Sequence, residues 1–168
     1  MTIRPFVPWP DQRLRAVAEE VADITDDIHA IWADMVDTMV AMPGVGVGLA
    51  APQIGVMLRL AVVDAQPDRS RRFLMANPTI LNSSDEKILG QEASPNFPGV
   101  SANIKRPKSV TVRFLSASGM IERRDLEGLE ARSLQHQIDH LNGRMYFDNL
   151  SKMKRDMLIR KARKAKAG

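Results

Sequence analysis

The stretch Leu134-Gln135-His136-Gln137-Ile138-Asp139-His140-Leu141-Asn142-Gly143 governs how the rest of the chain is read. Leu134, Ile138 and Leu141 recur on one helical face, and Asn142-Gly143 supplies a stop, so a helix is expected from about Leu129 to Asn142. His136 and His140, four residues apart, project from one side of that helix and can grip a single metal ion. In zinc hydrolases with this spacing, a glutamate in the second position takes a proton from metal-bound water. Here that position is Gln137, whose amide orients a water but does not deprotonate it. Two surface histidines on a helix have the same spacing, so the helix alone leaves a metal site open.

The chain around this helix has 168 residues, 44% hydrophobic and 26% charged, enough for one domain with a real core. It has no cysteine, which excludes disulfides, thiolate metal sites and a cysteine nucleophile. No apolar run approaches the ~20 residues of a membrane span. Met1-Thr2-Ile3-Arg4-Pro5 lacks the apolar centre of a signal peptide, so a cytoplasmic protein without membrane contact is expected. Eight of the 24 basic residues and one of the 20 acidic ones fall in 151–168. That segment therefore carries +7, against −3 for residues 1–150. A domain over 1–150 followed by a basic helix or tail over 151–168 is the expected organisation, with a polyanionic partner for the tail alone.

Upstream, Asp11 can cap a helix with the stripe Leu14, Val17, Ala18 and Val21. A second helix starts near Thr25, repeats Ile28, Ile31, Trp32, Met35, Val36, Met39 and Val40, and ends at Met42-Pro43-Gly44. Trp32 and the methionines read as core and His29 as surface. Leu58 to Val63 and Phe73 to Leu81 read as strands. Val110, Val112 and Phe114 alternate into a hairpin turning at Ser116-Ala117-Ser118-Gly119. Helices first, strands in the middle and helices last make a single α+β domain, with short β-sheets packed around the helix that carries His136 and His140.

Two further segments attract attention. Gly44-Val45-Gly46-Val47-Gly48-Leu49-Ala50-Ala51-Pro52-Gln53-Ile54-Gly55 lets backbone amides approach a ligand closely, yet lacks the lysine of a phosphate loop. Gly90-Gln91-Glu92-Ala93-Ser94-Pro95-Asn96-Phe97-Pro98-Gly99-Val100 reads by itself as a proline-rich loop between strands.

Taken together, the order and spacing of these three segments resemble the peptide deformylase family over nearly the whole chain. Arg106-Pro107-Lys108 and Phe147-Asp148 fit as well. Deformylases remove the formyl group from the N-terminal methionine of nascent bacterial chains. They hold iron or zinc with the cysteine of a Glu-Gly-Cys-Leu-Ser segment and the two histidines of His-Glu-x-x-His. The resemblance implies His136 and His140 as metal ligands, Gln53 as an oxyanion donor, and Val47 and Gly48 against the bound peptide. Glu92 matches the glutamate of the cysteine segment.

The same comparison marks departures at the chemical positions. Ser94 stands where the family has its cysteine, and a neutral hydroxyl is a far weaker ligand than a thiolate. Pro95 stands where a backbone amide donates to the oxyanion; proline has no such hydrogen, a loss of about 2.7–4 kcal/mol in a transition state. Gln137 removes the general base, worth roughly 10²–10⁴ in rate. With Ala93 and Asn96 added, five departures in two motifs look like natural divergence of a second copy rather than an engineered pair. The expectation is a deformylase-like protein with little or no activity and no metal, or a weakly bound divalent one. It retains binding of a peptide N-terminus (a formyl-Met peptide or nascent chain), or docks on the ribosome through its basic tail. The alternative is a functional but weakened metal-dependent deformylase, in which Glu92 replaces the missing ligand.

Overall fold

Thr25 begins the first long helix, its hydroxyl accepting from the Ile28 amide at 3.3 Å. Helix α1 (Asp26–Val40) carries Asp26 and Asp27 in its first turn, where the helix dipole favours them. Its stripe of Ile28, Trp32, Met35 and Met39 is buried against Leu49, Leu60, Val62 and Ala76. His29 is exposed. The computed structural model describes residues 2–44 and 46–167, so Val45 of the glycine-rich segment lies outside the described residues.

Seven strands follow: β1 (Gly48–Ala50), β2 (Leu60–Asp64), β3 (Arg72–Ser83), β4 (Lys87–Ser94), β5 (Phe97–Pro107), β6 (Ser109–Leu115) and β7 (Ile121–Glu127). They form an antiparallel five-stranded sheet ordered β1-β2-β3-β6-β7 and a separate hairpin, β4-β5. Every residue of β2 is buried because α1 and a second helix, α2 (Gly128–Leu141), both pack on it. Helix α2 also touches β1, β5, β6 and β7, so both sheets close around it and Ala131, Leu134 and Leu141 are fully buried. The expected α+β arrangement around the helix carrying His136 and His140 is the observed one.

Two expectations are corrected. Asp11 caps only a single 3-10 turn, Gln12–Arg15, not a helix reaching Val21. Beyond it the backbone is extended: the Ala18 amide donates to the Leu141 carbonyl at 2.9 Å, and Glu19 bridges to Leu58. Partners on distant segments outcompete the local periodicity, and Val17 is left exposed. The second correction is the proline-rich stretch, which is not a loop but most of the β4-β5 hairpin, closed by the pair Ser94↔Phe97 across Pro95-Asn96. Its inward residues, Glu92 and Ser94, are polar, so the hydrophobic alternation that marks a strand is absent. Pro98 is tolerated because β5 pairs on one edge only.

The basic C-terminal segment forms a docked helix, α3 (Lys152–Ala167). Leu158 and Ala162 pack into a cluster with Phe97, Ile104, Met145, Tyr146 and Phe147. Met153, Met157 and most of the cations face outward. Among the described residues, no helix is long and apolar enough to cross a membrane.

Candidate functional site

A cavity of about 680 Å³ opens between the glycine-rich segment, the β4-β5 hairpin and α2. Val47, Gly48 and Gln53 line it from the glycine-rich segment, Glu92, Ser94 and Pro95 from the hairpin, and His136 and Gln137 from α2. The structure thus gathers three segments that lie as much as 90 positions apart in the sequence. His140 also belongs to this centre but lies deeper, 2% exposed, beside His136 with ring centroids 5.0 Å apart. The prospect of two surface histidines is overturned, because both rings are buried.

Gly48 has to be glycine. A Cβ there would collide with Ser133 Oγ and lie 2.7 Å from Gln137 Nε2, so the bare backbone is what lets α2 approach β1. Ser133 Oγ donates to the Val47 carbonyl at 2.9 Å, tying the two elements together.

Glu92 is saturated. Arg106 forks onto it through Nε and Nη2 at 2.6 and 2.8 Å, and Arg132 Nη1 approaches at 2.6 Å. His136 Nδ1 completes the set at 2.8 Å. Burial pushes the Glu92 carboxyl up, but hydrogen bonds from Arg106 and His136, with their charges, outweigh it and hold the pKa at about 2. Asp139 pairs with Arg106 from the other side at 3.0 Å. Of these groups, sequence reasoning missed Arg132, and it quoted Arg106 without assigning it a role. A lone glutamate inside a strand was the available signal, since a buried carboxylate demands cationic partners.

Asn96 ties the hairpin to the glycine-rich segment. It is 1% exposed and donates through Nδ2 to the carbonyls of Val7 at 2.7 Å and Gln53 at 2.9 Å. Its Oδ1 accepts from Gln53 Nε2 at 2.8 Å and from the Ser94 hydroxyl at 3.2 Å. Gln53 Oε1 accepts from the Ala50 amide at 2.9 Å, so both ends of that side-chain amide are held. Pro95, at the hairpin turn, presents no N–H to the cavity.

At the other pole several buried polar atoms lack partners among the described residues. Gln137 Oε1 and both ring nitrogens of His140 are buried without a hydrogen bond. Burial, then the charges of His136 and Arg106, push the His140 pKa well below its ordinary value and keep the ring neutral. The Tyr146 hydroxyl, also buried without a partner, sits on a ring stacked 6.0 Å from His136 and is pushed upward in pKa by burial.

A buried helix raising two histidines beneath a peptide-sized cavity is the layout of a metal-dependent hydrolase. A family profile described as polypeptide deformylase matches residues 3–156, and the chain belongs to that family. A peptide deformylase of Afipia carboxidovorans is 41% identical over 167 residues, covering 98% of this chain and 96% of the relative. One from Rhizobium meliloti is also 41% identical, covering 98% and 95%. Among solved structures, a Legionella pneumophila peptide deformylase matches with TM-score 0.90 and 40% identity, over 99% of this chain and 96% of that one. An Ehrlichia chaffeensis deformylase solved with actinonin matches at 0.90 and 36%, over 98% of each chain.

The family implies a divalent metal. His140, with both nitrogens unpartnered, and His136, oriented through Nδ1 by Glu92, suit one. The remaining donors do not. Ser94 offers a neutral hydroxyl already bonded to Asn96, and Glu92 is consumed by three other groups. Among the described residues, no group of three His, Asp or Glu side chains is placed to hold a metal. Two imidazoles and a neutral hydroxyl supply no anionic charge, so the set does not fit the family's ion.

Proposed function

We propose that this chain takes the formylated N-terminus of a peptide into the deformylase cavity and hydrolyses it orders of magnitude more slowly than a thiolate-ligated deformylase. The observation that carries this reading is the saturation of Glu92, the one carboxylate among the described residues that line the cavity. With its pKa near 2 and its oxygens facing two guanidiniums and an imidazole, it is neither a general base nor a spare ligand. Gln137 does not take a proton and Pro95 donates none, so proton transfer and oxyanion stabilisation are both weakened. Val47, Gly48 and Gln53 remain along the cavity to hold a peptide.

A second reading, a functional but weakened metal-dependent deformylase, is the one the comparisons favour: the relatives at about 40% identity and near-complete coverage carry the name peptide deformylase. The two separate in one assay. Formyl-Met-Ala-Ser is incubated with the intact protein after reconstitution with ferrous, zinc or cobalt ion, beside a thiolate-ligated deformylase. The first reading expects turnover at least about 10²-fold below the control with every ion. Turnover within tenfold of it establishes the second.

The outward cations of α3 support a further part of the proposal, docking on a polyanionic surface such as ribosomal RNA near the nascent chain.

A further inference from the structure

Gln137 stands where a hydrolase needs a base, yet its surroundings are those of a binding group. It is 3% exposed, and Nε2 donates to Ser133 Oγ at 3.5 Å. The hydroxyl hydrogen of Ser133 is committed to the Val47 carbonyl, so Oγ can only accept from Gln137, which sets the orientation of the amide. Oε1, on a residue that lines the cavity, is then buried without a partner among the described residues. Such an acceptor costs about 1–3 kcal/mol until something donates to it. In the same cavity, Gln53 Nε2 spends one hydrogen on Asn96 and has a second to give.

One fixed acceptor and one fixed donor, with no free carboxylate between them, complement a neutral secondary amide. Its N–H faces an acceptor and its carbonyl a donor. A free amino terminus is a poorer match, because an ammonium buried here would find Glu92 already consumed and Arg132 on the cavity wall. Resting on the reading above that formylated N-termini enter this cavity, we propose that Gln137 is a recognition residue. Its Oε1 accepts the N–H of the intact formamide and Gln53 donates to the formyl oxygen, so the site retains the uncleaved N-acylated end of a peptide and rejects the deformylated one.

Calorimetric titration of the purified protein tests this with three peptides: formyl-Met-Ala-Ser, the same peptide methylated on the methionine nitrogen, and Met-Ala-Ser. Mass spectrometry afterwards verifies that the formyl group is intact. The formyl peptide is expected to bind about tenfold tighter than either of the others. In the Gln137→Met variant, which keeps the length and removes the acceptor, binding of the formyl peptide falls by about tenfold. Binding of the N-methyl peptide hardly changes, so the penalty for methylation disappears. Equal affinity of the wild type for the formyl and N-methyl peptides overturns the role of Gln137 while the cavity reading stands. Equal losses for both peptides in Gln137→Met do the same. No binding of any peptide to the wild type overturns the cavity reading and this inference together. If Gln137→Met fails to fold, the wild-type comparison of the three peptides still decides.

Discussion

Two poles of one helix, α2, have met opposite fates. At the pole around Glu92 the charged groups are paired: Arg106, Arg132 and His136 converge on one carboxylate, and Asp139 balances Arg106. At the other, on the adjacent face of the helix, Gln137 and His140 hold buried atoms with nothing opposite them among the described residues, and Ser94 and Pro95 line the same cavity with a neutral hydroxyl and a missing N–H. The first pole supports the shape of the site; the second holds the groups that match the chemical positions of the family motifs. The support is built of paired charges, and the second pole of a hydroxyl, a proline, an amide and a buried imidazole. An intact fold and an intact cavity are therefore weak arguments for an intact reaction, because they depend on different residues.

The largest effect that can separate the poles is on stability. Glu92→Gln leaves Arg132 buried without its carboxylate and is expected to cost about 3–5 kcal/mol in urea denaturation. Gln137→Leu, at the orphaned pole, is expected to cost less than about 1 kcal/mol or to stabilise, since it removes an unpaired acceptor. Similar costs at both positions would erase the contrast.

Activity comes next. Restoring a thiolate, an amide hydrogen and a base together, with Ser94→Cys, Pro95→Leu and Gln137→Glu, is expected to raise deformylation of formyl-Met-Ala-Ser at least about 10²-fold. Gln137→Glu alone is expected to change it little, since a base without an activated water has nothing to deprotonate. A large gain from the single change would mean that a metal already sits in the native site.

Smaller again is an acid-side effect away from both poles. Burial raises the Asp148 pKa, but the Arg15 guanidinium and the Met145 amide outweigh it and leave the carboxyl below its ordinary value. A carboxyl depressed in the folded state contributes stability above its unfolded pKa and loses it as pH falls through the lower folded value. Asp148→Asn is therefore expected to reduce stability at pH 6 by about 1–2 kcal/mol and to flatten the decline below pH 4. An unchanged pH profile would remove Asp148 from the account.

The smallest expected effect concerns α3. Because Leu158 and Ala162 are buried, deleting the helix would uncover apolar surface, and charge reversal is the cleaner test. Arg160→Glu, Lys161→Glu and Lys164→Glu together are expected to abolish salt-sensitive ribosome co-sedimentation while the melting temperature moves by only a few degrees. Unchanged sedimentation would mean that the helix is only a packed end.

Much of this was legible in the sequence. Helix α1 was readable from Thr25 to Val40, because a cap and a wide apolar stripe agree there. The β6-β7 hairpin and α2 were readable for the same reason. Gln53, Ser94, Pro95, His136, Gln137 and His140 could be brought to one centre only through the family resemblance, since no local pattern links positions so far apart. The parts that stayed hidden share one cause. The segment after Asp11 and the β4-β5 hairpin are fixed by partners distant in sequence: the Leu141 carbonyl for Ala18, and Arg106 and Arg132 for Glu92. Asn96 looked like one more departure from the family segment. Its four side-chain bonds to Val7, Gln53 and Ser94 appear only once the chain has folded.

Two imidazoles and a neutral hydroxyl are a poor donor set for the family's metal. The most direct measurement is the metal content of the purified, unmodified protein, expressed with iron and zinc supplied and then dialysed against a mild chelator. Well under one equivalent of either metal is expected, with recovery of near-stoichiometric metal in the Ser94→Cys variant. One full equivalent surviving dialysis in the unmodified protein would contradict it.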